Sequence, residues 1–387
     1  MSADATAQAR FIDIHILQSV PFANLNRDDN NSVKTVRYGD TDRTRVSSQS
    51  WKRAVREYFQ HAIKDSALRT RRIGERVERL LETERGWPGA LARRAGQHAA
   101  AGSSIKFEVD KKTPVVLTNA MVYVPESAVA ELADLAEEFR DAIEAGKDIA
   151  KPSDKSVLPK ERIDAILRTR NGVINLFGRM LAEVDDAGVD GAVQVAHALT
   201  THATDVELDY FSAVDDVTSH WGDATGSAHM GHAEFSAGVF YRYATLDIAD
   251  LLANLGGDTD SARQLAAAFA EAFILSLPQA KKTATAPHTI PDLVHISVRS
   301  DRPLSYAAAF EAPVTSHRDG GYAAASRTEL AAYATAAGKL LGGRGTLAAG
   351  WAGLGDKDLG GLGERVDSFP ALIELAVGTA LTTQAAA

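Results

Sequence analysis

Strand-forming sequence opens this chain, gives way at about residue 64, and resumes only near residue 172. Phe11 to Leu17 (FIDIHIL) alternates. Ile12, Ile14 and Ile16 point to one side and Asp13 and His15 to the other, the pattern of a half-buried strand. Arg43-Thr44-Arg45-Val46 reads as a short extended run. Ser47-Ser48-Gln49-Ser50 then opens a helix, with serine oxygens placed to cap its free N–H groups. Trp51, Val55, Tyr58, Phe59 and Ala62 recur at helical spacing as one apolar stripe, while Gln49, Lys52, Arg53 and Arg56 share another face. The stretch from 64 to 170 is instead rich in Ala, Arg and Glu, with breaks at Gly86, Pro88, Gly102, Pro152 and Pro159. A sheet must therefore be assembled from segments far apart in the chain, with a mostly helical insertion between them.

Within the insertion, Val115 to Val124 fits a strand, Glu131 to Ala145 an amphipathic helix and Lys160 to Arg168 another; Lys147 to Ser156 reads as a mobile loop. Gly172 to Met180 (GVINLFGRM) returns to a strand pattern. Gly191 to Thr201 fits helix or strand. Residues 202–234 read as a long loop or a protruding hairpin. Gly238 to Ala244 is a strand by its aromatic and β-branched content, Ser261 to Leu277 an amphipathic helix, and Leu293 to Val298 an alternating strand. Helices near Leu330 to Leu341 and Ala371 to Ala380 flank a Gly-rich linker, Gly342 to Gly363. This order suits a small α+β core carrying large insertions, and a ferredoxin-like core of the RRM kind is the simplest candidate.

A chain of 387 residues is long enough for one large core with insertions or for two domains. It has no cysteine, which excludes disulfides, thiolate metal sites and a cysteine nucleophile. No apolar run is long enough to span a membrane, and the polar start, Met1 to Arg10, lacks the apolar core of a signal peptide. A cytoplasmic protein is expected.

The net charge of −9 argues against nucleic acid only as a total. Val33 to Arg76 holds twelve Lys/Arg against five Asp/Glu, whereas Leu181 to Tyr241 holds eleven Asp/Glu and no Lys or Arg. Such a split is an electrostatic pattern. The basic segment suits phosphate. Its centre, Arg43 to Arg56 (RTRVSSQSWKRAVR), joins a helix N-terminus to three cations within two turns. The competing reading is a solvated basic helix face. Trp51, Tyr58 and Phe59 lie on the opposite stripe and read as core rather than as base-stacking platforms.

His197 and His202 are five apart and do not share a helix face; His220, His229 and His232 lie in a Gly-rich stretch. Ordinary hydrogen-bonded histidines are a simpler reading than zinc, which needs three or four convergent ligands. Asp28-Asp29 and the group Asp205, Glu207, Asp209, Asp215 and Asp216 suit either Mg²⁺ or the turn-capping role of Asp. No P-loop, nucleophile elbow or dinucleotide fingerprint is present.

Several strings in order go beyond generic pattern. They are Leu25-Asn26-Arg27-Asp28-Asp29, Arg45-Val46-Ser47-Ser48-Gln49-Ser50 with Lys52-Arg53-Ala54, Gly178-Arg179-Met180, His197-Ala198-Leu199-Thr200-Thr201-His202, Phe211-Ser212-Ala213-Val214-Asp215-Asp216, Gly226-Ser227-Ala228-His229, and Phe235 to Ala244 (FSAGVFYRYA). Together they resemble the CasC-type backbone subunit of the type I-E CRISPR surveillance complex, Cascade, most clearly over residues 10–58 and 172–255.

That resemblance implies a hand: an RRM-like palm (1–62, with strands in 172–199 and the remainder in 237–387), a helical finger insertion (63–171) and a protruding thumb (200–236). It implies copies stacked head to tail along CRISPR RNA, with the spacer left free to pair with a target DNA strand. Partners would be the RNA, other copies, other Cascade subunits and a helicase-nuclease recruited by the complex, with no membrane, cofactor, metal or catalytic residue. Residue by residue, Arg27, Arg45, Ser47, Gln49, Lys52, Arg53 and Arg56 would line the RNA backbone. Arg179 and Met180 would lie beside it, and Phe211 would wedge near a displaced nucleotide. Asp40 and Asp42 depart from the more basic run of relatives, leaving Lys34 or Arg37 to substitute. The acidic thumb would dock near a neighbour's basic surface. The rivals are a metal-dependent endoribonuclease using Asp28 or Asp29, a general single-strand RNA chaperone and a zinc-dependent hydrolase.

Overall fold

The computed structural model describes residues 8–110, 113, 115–214, 227–355 and 357–382. The chain divides into two compact units: residues 1–58, 193–249 and 259–387 form the first, and residues 59–192 and 250–258 the second.

The first unit is built on a largely antiparallel sheet. Its strands are β1 (Phe11–Ala23), β2 (Thr35–Tyr38), β3 (Thr41–Val46), and, after the second unit's strands β4 (Ala67–Thr70), β5 (Phe107–Val109), β6 (Val116–Thr118) and β7 (Val122–Pro125), β8 (Val193–Val195), β9 (Ala198–Thr200), β10 (Glu207–Val214), β11 (Ser227–Asp247), β12 (Leu293–Arg299), β13 (Thr346–Gly353) and β14 (Glu364–Arg365). The order is β14-β13-β12-β1-β11-β9-β3-β2, with β8 and β10 also on β11. Among the described residues only β13 and β14 pair in parallel. Helix α1 (Ser48–Ile63) follows β3, and the helix Thr259–Leu275 lies between β11 and β12 in the chain.

β1 is not half-buried, as its alternation suggests, but buried on both faces. It sits between β11 and β12, pairing Ile14 with Ala244 and with Ile296. Ile12, Ile14 and Ile16 are almost wholly enclosed, each worth about 1.5–3 kcal/mol of transfer from water. On that face Leu372 of the helix Phe369–Thr382 lies over Gly350, the partner of Ile296. The polar residues on the other face are enclosed as well. Tyr243 donates to Asp13 Oδ1 at 2.8 Å, and the Leu304 N–H donates to Oδ2 at 2.8 Å. The Tyr241 hydroxyl accepts the Tyr306 N–H and shares a hydrogen bond with His15 Nδ1, both at 2.9 Å. The rings of His15 and Tyr306 stack at 4.2 Å. Hydrogen bonding makes this polar layer tolerable inside the protein, and local alternation cannot reveal it.

The expected strand at Gly172–Met180 is instead a short helix, Gly172–Phe177, in the second unit. Asn171 Oδ1 accepts the Ile174 N–H at 3.1 Å as an N-cap, and Gly178 ends the helix with φ 78°. The supposed linker 342–363 contains β13, paired along β12. The 131–145 helix breaks at Phe139 into Ser127–Glu138 and Arg140–Ala145. The one strand expected over Val115–Val124 is two, β6 and β7, which pair with β5 and β4 respectively. The second unit packs the helices Ile73–Thr83 and Gly89–Ala101 so closely that a Cβ at Gly74 or Gly96 would overlap the other glycine's carbonyl oxygen.

Candidate nucleic-acid interface

The basic segment is held by one knot of backbone contacts. The Ser47 N–H donates to Asn26 Oδ1 at 2.8 Å, and the Arg45 N–H to the Lys34 carbonyl at 2.8 Å. Arg45 also pairs with Leu199 of β9. The loop after β1 is thereby fixed against the start of α1. Inside that loop Asp28 Oδ1 accepts the N–H groups of Asn30 and Ser32, at 2.8 and 2.9 Å, and Arg27 donates to Asn31 Oδ1 at 2.7 Å. Asp28 thus performs the turn-closing role of an Asx residue.

The start of α1 is less open than the sequence suggests. Ser47 is buried, and its hydroxyl accepts the Ser50 N–H at 3.3 Å. The Ser48 N–H donates to His197 Nδ1 at 3.1 Å, and Arg45 Nη1 approaches the same nitrogen at 3.2 Å. Burial first, then Arg45 and Lys34, hold His197 below the usual imidazole range. A nitrogen that accepts twice belongs to the neutral ring. The helix N-terminus is therefore already capped, and an approaching phosphate meets side-chain cations instead.

Those cations share one region of the first unit. Arg27, Gln49 and Arg53 are exposed; Arg45, Lys52 and Arg56 are half-buried. Lys52 reaches the Val193 carbonyl at 3.4 Å, and Arg53 pairs with Glu57 at 2.9 Å. Such an exposed i,i+4 pair contributes little and leaves the guanidinium able to exchange partners. Arg43, by contrast, turns inward: it is fully buried, donating to the carbonyls of Thr200 and Phe310 at 2.9 and 3.1 Å. Burial pushes its guanidinium down from the usual value. Beneath the surface Trp51, Val55 and Phe59 are enclosed, as their spacing predicts, whereas Tyr58 is half-buried and Ala62 exposed.

β10 and β11 form a two-stranded ribbon on which Leu208, Tyr210 and Phe211 are exposed beside Glu207 and Asp209. Phe211 lies opposite Gly231, and a Cβ there would come within 2.6 Å of the ring. The bare glycine lets the ring lie across the neighbouring strand. Asp215, Asp216 and His220 lie outside the described residues.

Arg179 and Met180 belong to the second unit. Arg179 is 3% exposed, and its guanidinium donates to the carbonyls of Ala187, Thr169 and Arg168 at 2.7, 2.8 and 2.9 Å. Burial lowers it to about 10. The side chain braces the turn from inside, and Met180, 91% exposed, is what the turn presents. Met180 borders an open groove of about 840 Å³ with Arg69, Phe177 and Asp186.

Three structural roles escape sequence reading. His197 carries no local signal for a role 149 residues from Ser48. Asn26 is a plain loop residue until its amide oxygen meets Ser47, and Lys34 enters through its carbonyl and its field on His197. His202 is a core residue, stacked on Tyr322 at 3.6 Å and accepting the Val239 N–H at 3.1 Å. Among the described residues no three His, Asp or Glu side chains converge as metal ligands would.

Residues 12–374 match the family model described as CT1975-like protein. No curated protein is significantly similar. A chain of a solved "CRISPR RNA-guided surveillance complex, pre-nicking" is 44% identical with TM-score 0.87, over 96% of this chain and 100% of that one. A chain of another "CRISPR RNA-guided surveillance complex" is 40% identical with TM-score 0.77, over 95% and 99% respectively.

Proposed function

We propose, from the premise that this chain belongs to the CT1975-like protein family, that it is a guide-RNA-binding subunit of a CRISPR RNA-guided surveillance complex. The observation that carries this reading is the joint one of near-complete coverage at 44% identity and a cationic surface around α1. We propose further that it is the backbone subunit of a type I-E Cascade, polymerising head to tail along the RNA.

The chemistry supports a sequence-independent grip. Arg27, Arg45, Lys52, Arg53 and Arg56 offer charge for phosphate, and Gln49 a neutral hydrogen bond. A carrier of varied spacers needs that division, because phosphate contacts position a strand while base edges stay free for pairing. Ser47 acts through its cap, holding the surface in shape. Phe211 is the exposed apolar side chain assigned to the displaced nucleotide, and Met180 the one expected beside the RNA backbone. The path β1–α1–β9–β11–helix–β12, with those strands ordered β12-β1-β11-β9, is the one expected of a ferredoxin-like, RRM-like palm. The second unit is then the finger and the β10–β11 ribbon the thumb. Target-strand pairing, antiviral interference and helicase-nuclease recruitment follow from this reading. So does a cytoplasmic location; among the described residues no helix is long and apolar enough to cross a membrane.

In this reading the chain is a carrier and not an enzyme, and Asp28 closes a loop instead of binding Mg²⁺. Binding of the purified chain to single-stranded RNAs of unrelated sequence tests the grip. Equal affinities that fall steeply with salt are expected. Strong preference for one sequence, or Mg²⁺-dependent cleavage abolished in Asp28→Ala, would overturn it.

A further inference from the structure

Arg242 lies on β11, opposite Ile16 of β1, and is 1% exposed. Its guanidinium carbon stands 3.9 Å from the centre of the Trp51 ring and 4.9 Å from that of Phe273. Nη1 donates to Gln18 Oε1 at 2.6 Å, Nη2 donates to the Phe273 carbonyl, and Nε has no partner among the described residues. No carboxylate is paired with it there, and desolvation alone acts on its protonation, lowering it to about 9. It therefore stays cationic at neutral pH. The contrast is Arg299, equally buried but paired with Asp301 at 2.9 Å.

An enclosed charge without a counter-ion costs stability, and apolar groups of similar size commonly do better in such places. A fold that keeps one invites a role beyond packing. Trp51, against which this cation stacks, belongs to the first turn of α1, the helix that carries Lys52, Arg53 and Arg56. Enclosed in protein, its field is weakened less than that of an exposed lysine.

We propose that Arg242 is a concealed positioning residue of the RNA surface, a buried positive charge beneath α1 whose field adds to the attraction of the exposed cations for the RNA backbone. The inference rests on the RNA-binding reading above. A unit charge about one helix diameter, ~10 Å, below the surface, at an effective dielectric near 20 and partly screened, changes phosphate affinity by about fivefold.

The test is the affinity of the full-length chain for a fluorescent single-stranded RNA oligonucleotide at low salt and pH 6, with melting temperature measured alongside. R242M is expected to melt at or above the wild-type temperature yet bind about fivefold more weakly, and R242Q to bind as weakly. R242K, which keeps the charge without the planar fork, is expected to stay within about twofold of wild type. A folded R242M or R242Q that binds like wild type overturns the proposal. So does an equal loss in R242M and R242K, because shape would then be the cause. Should both neutral variants fail to fold, R242K decides: a fivefold loss overturns the proposal and near-wild-type binding supports it. If the unaltered chain itself ignores RNA, the functional reading fails, and the role of Arg242 falls with it.

Discussion

His197 and Ser48 meet at the first turn of α1, where the serine N–H donates to the imidazole Nδ1 at 3.1 Å. A side chain 149 residues away caps the helix that presents the basic surface. Loss of an N-cap typically costs about 1 kcal/mol. His197→Ala should lower stability by about that amount and loosen the Arg45 side chain, which approaches the same nitrogen. Chemical denaturation at pH 7.5 checks this. Unchanged stability would show that water caps Ser48 equally well.

Lys52 and Arg56 supply charge to the proposed RNA track. Single-stranded nucleic acid loses affinity with salt at a log–log slope of about −0.7 per phosphate neutralised. Lys52→Ala/Arg56→Ala should therefore weaken binding at every sequence and flatten the slope by about 1.4. A salt titration of wild type and double mutant reads both. A weakened affinity with an unaltered slope would place these residues away from phosphate.

Arg179 should prove structural. Removing it strands several buried carbonyls, at about 1–3 kcal/mol for each left unsatisfied. Arg179→Ala should melt several degrees lower, with Lys unable to reproduce the fork. Met180→Ala, at a 91% exposed position, should keep the wild-type melting temperature and change only the RNA-bound state. The reverse pattern in calorimetry would contradict the division of labour between the two residues.

Phe211 and Gly231 form a second coupled pair. Gly231→Val must push the ring off the facing strand, since even a Cβ would approach it within 2.6 Å. Phe211→Ala and Gly231→Val should then alter the same feature, the periodic exposure of nucleotides in the assembled complex, with little loss of fold. Chemical probing of the bound RNA tests this, and a probing pattern unaffected by either change would remove the wedge role from Phe211.

The buried polar layer predicts the acid response. Burial lowers His295 to about 4 and His15 well below its usual range. As pH falls below 6.5, the unfolded chain takes up these protons and the folded chain does not, so stability is lost between about 6.5 and 4. Asp13 opposes this. Burial raises its carboxyl from 3.8 to about 6, so its stabilising term is complete below 3.8 and is lost as pH rises through 6. Two histidines against one aspartate leave net acid lability. Melting temperature should drop between pH 6.5 and 4, less steeply in His295→Gln. A flat profile would mean that water reaches the layer.

Local periodicity made much of the framework legible. The strand at Phe11, the helix opened by Ser47, the aromatic strand through Tyr241 and the alternating strand at Leu293 each declare themselves within a few residues. What stayed hidden depends on distant partners. Asp13 and His15 read as solvent-facing because Tyr241, Tyr243 and Leu304 enclose them from far along the chain. GVINLF resembles a strand by β-branched content, yet the Asn171 cap and the positive φ of Gly178 make it a helix. β13 is rich in small residues and takes strand form from its pairing with β12. In the candidate site the exposed cations were legible from composition. The inward turn of Arg43, the capping by His197 and the burial of Arg179 and Arg242 required the fold.

The central claim, that this chain carries guide RNA, is tested most directly by the nucleic acid it retains in cells. The protein would be purified from cells co-expressing its CRISPR array and neighbouring subunits, and the bound nucleic acid sequenced. RNAs of uniform length, with varied spacers and constant repeat-derived ends, are predicted, and both RNA and assembly should be lost in Lys52→Ala/Arg56→Ala. No RNA, or a random cellular mixture, would contradict the account.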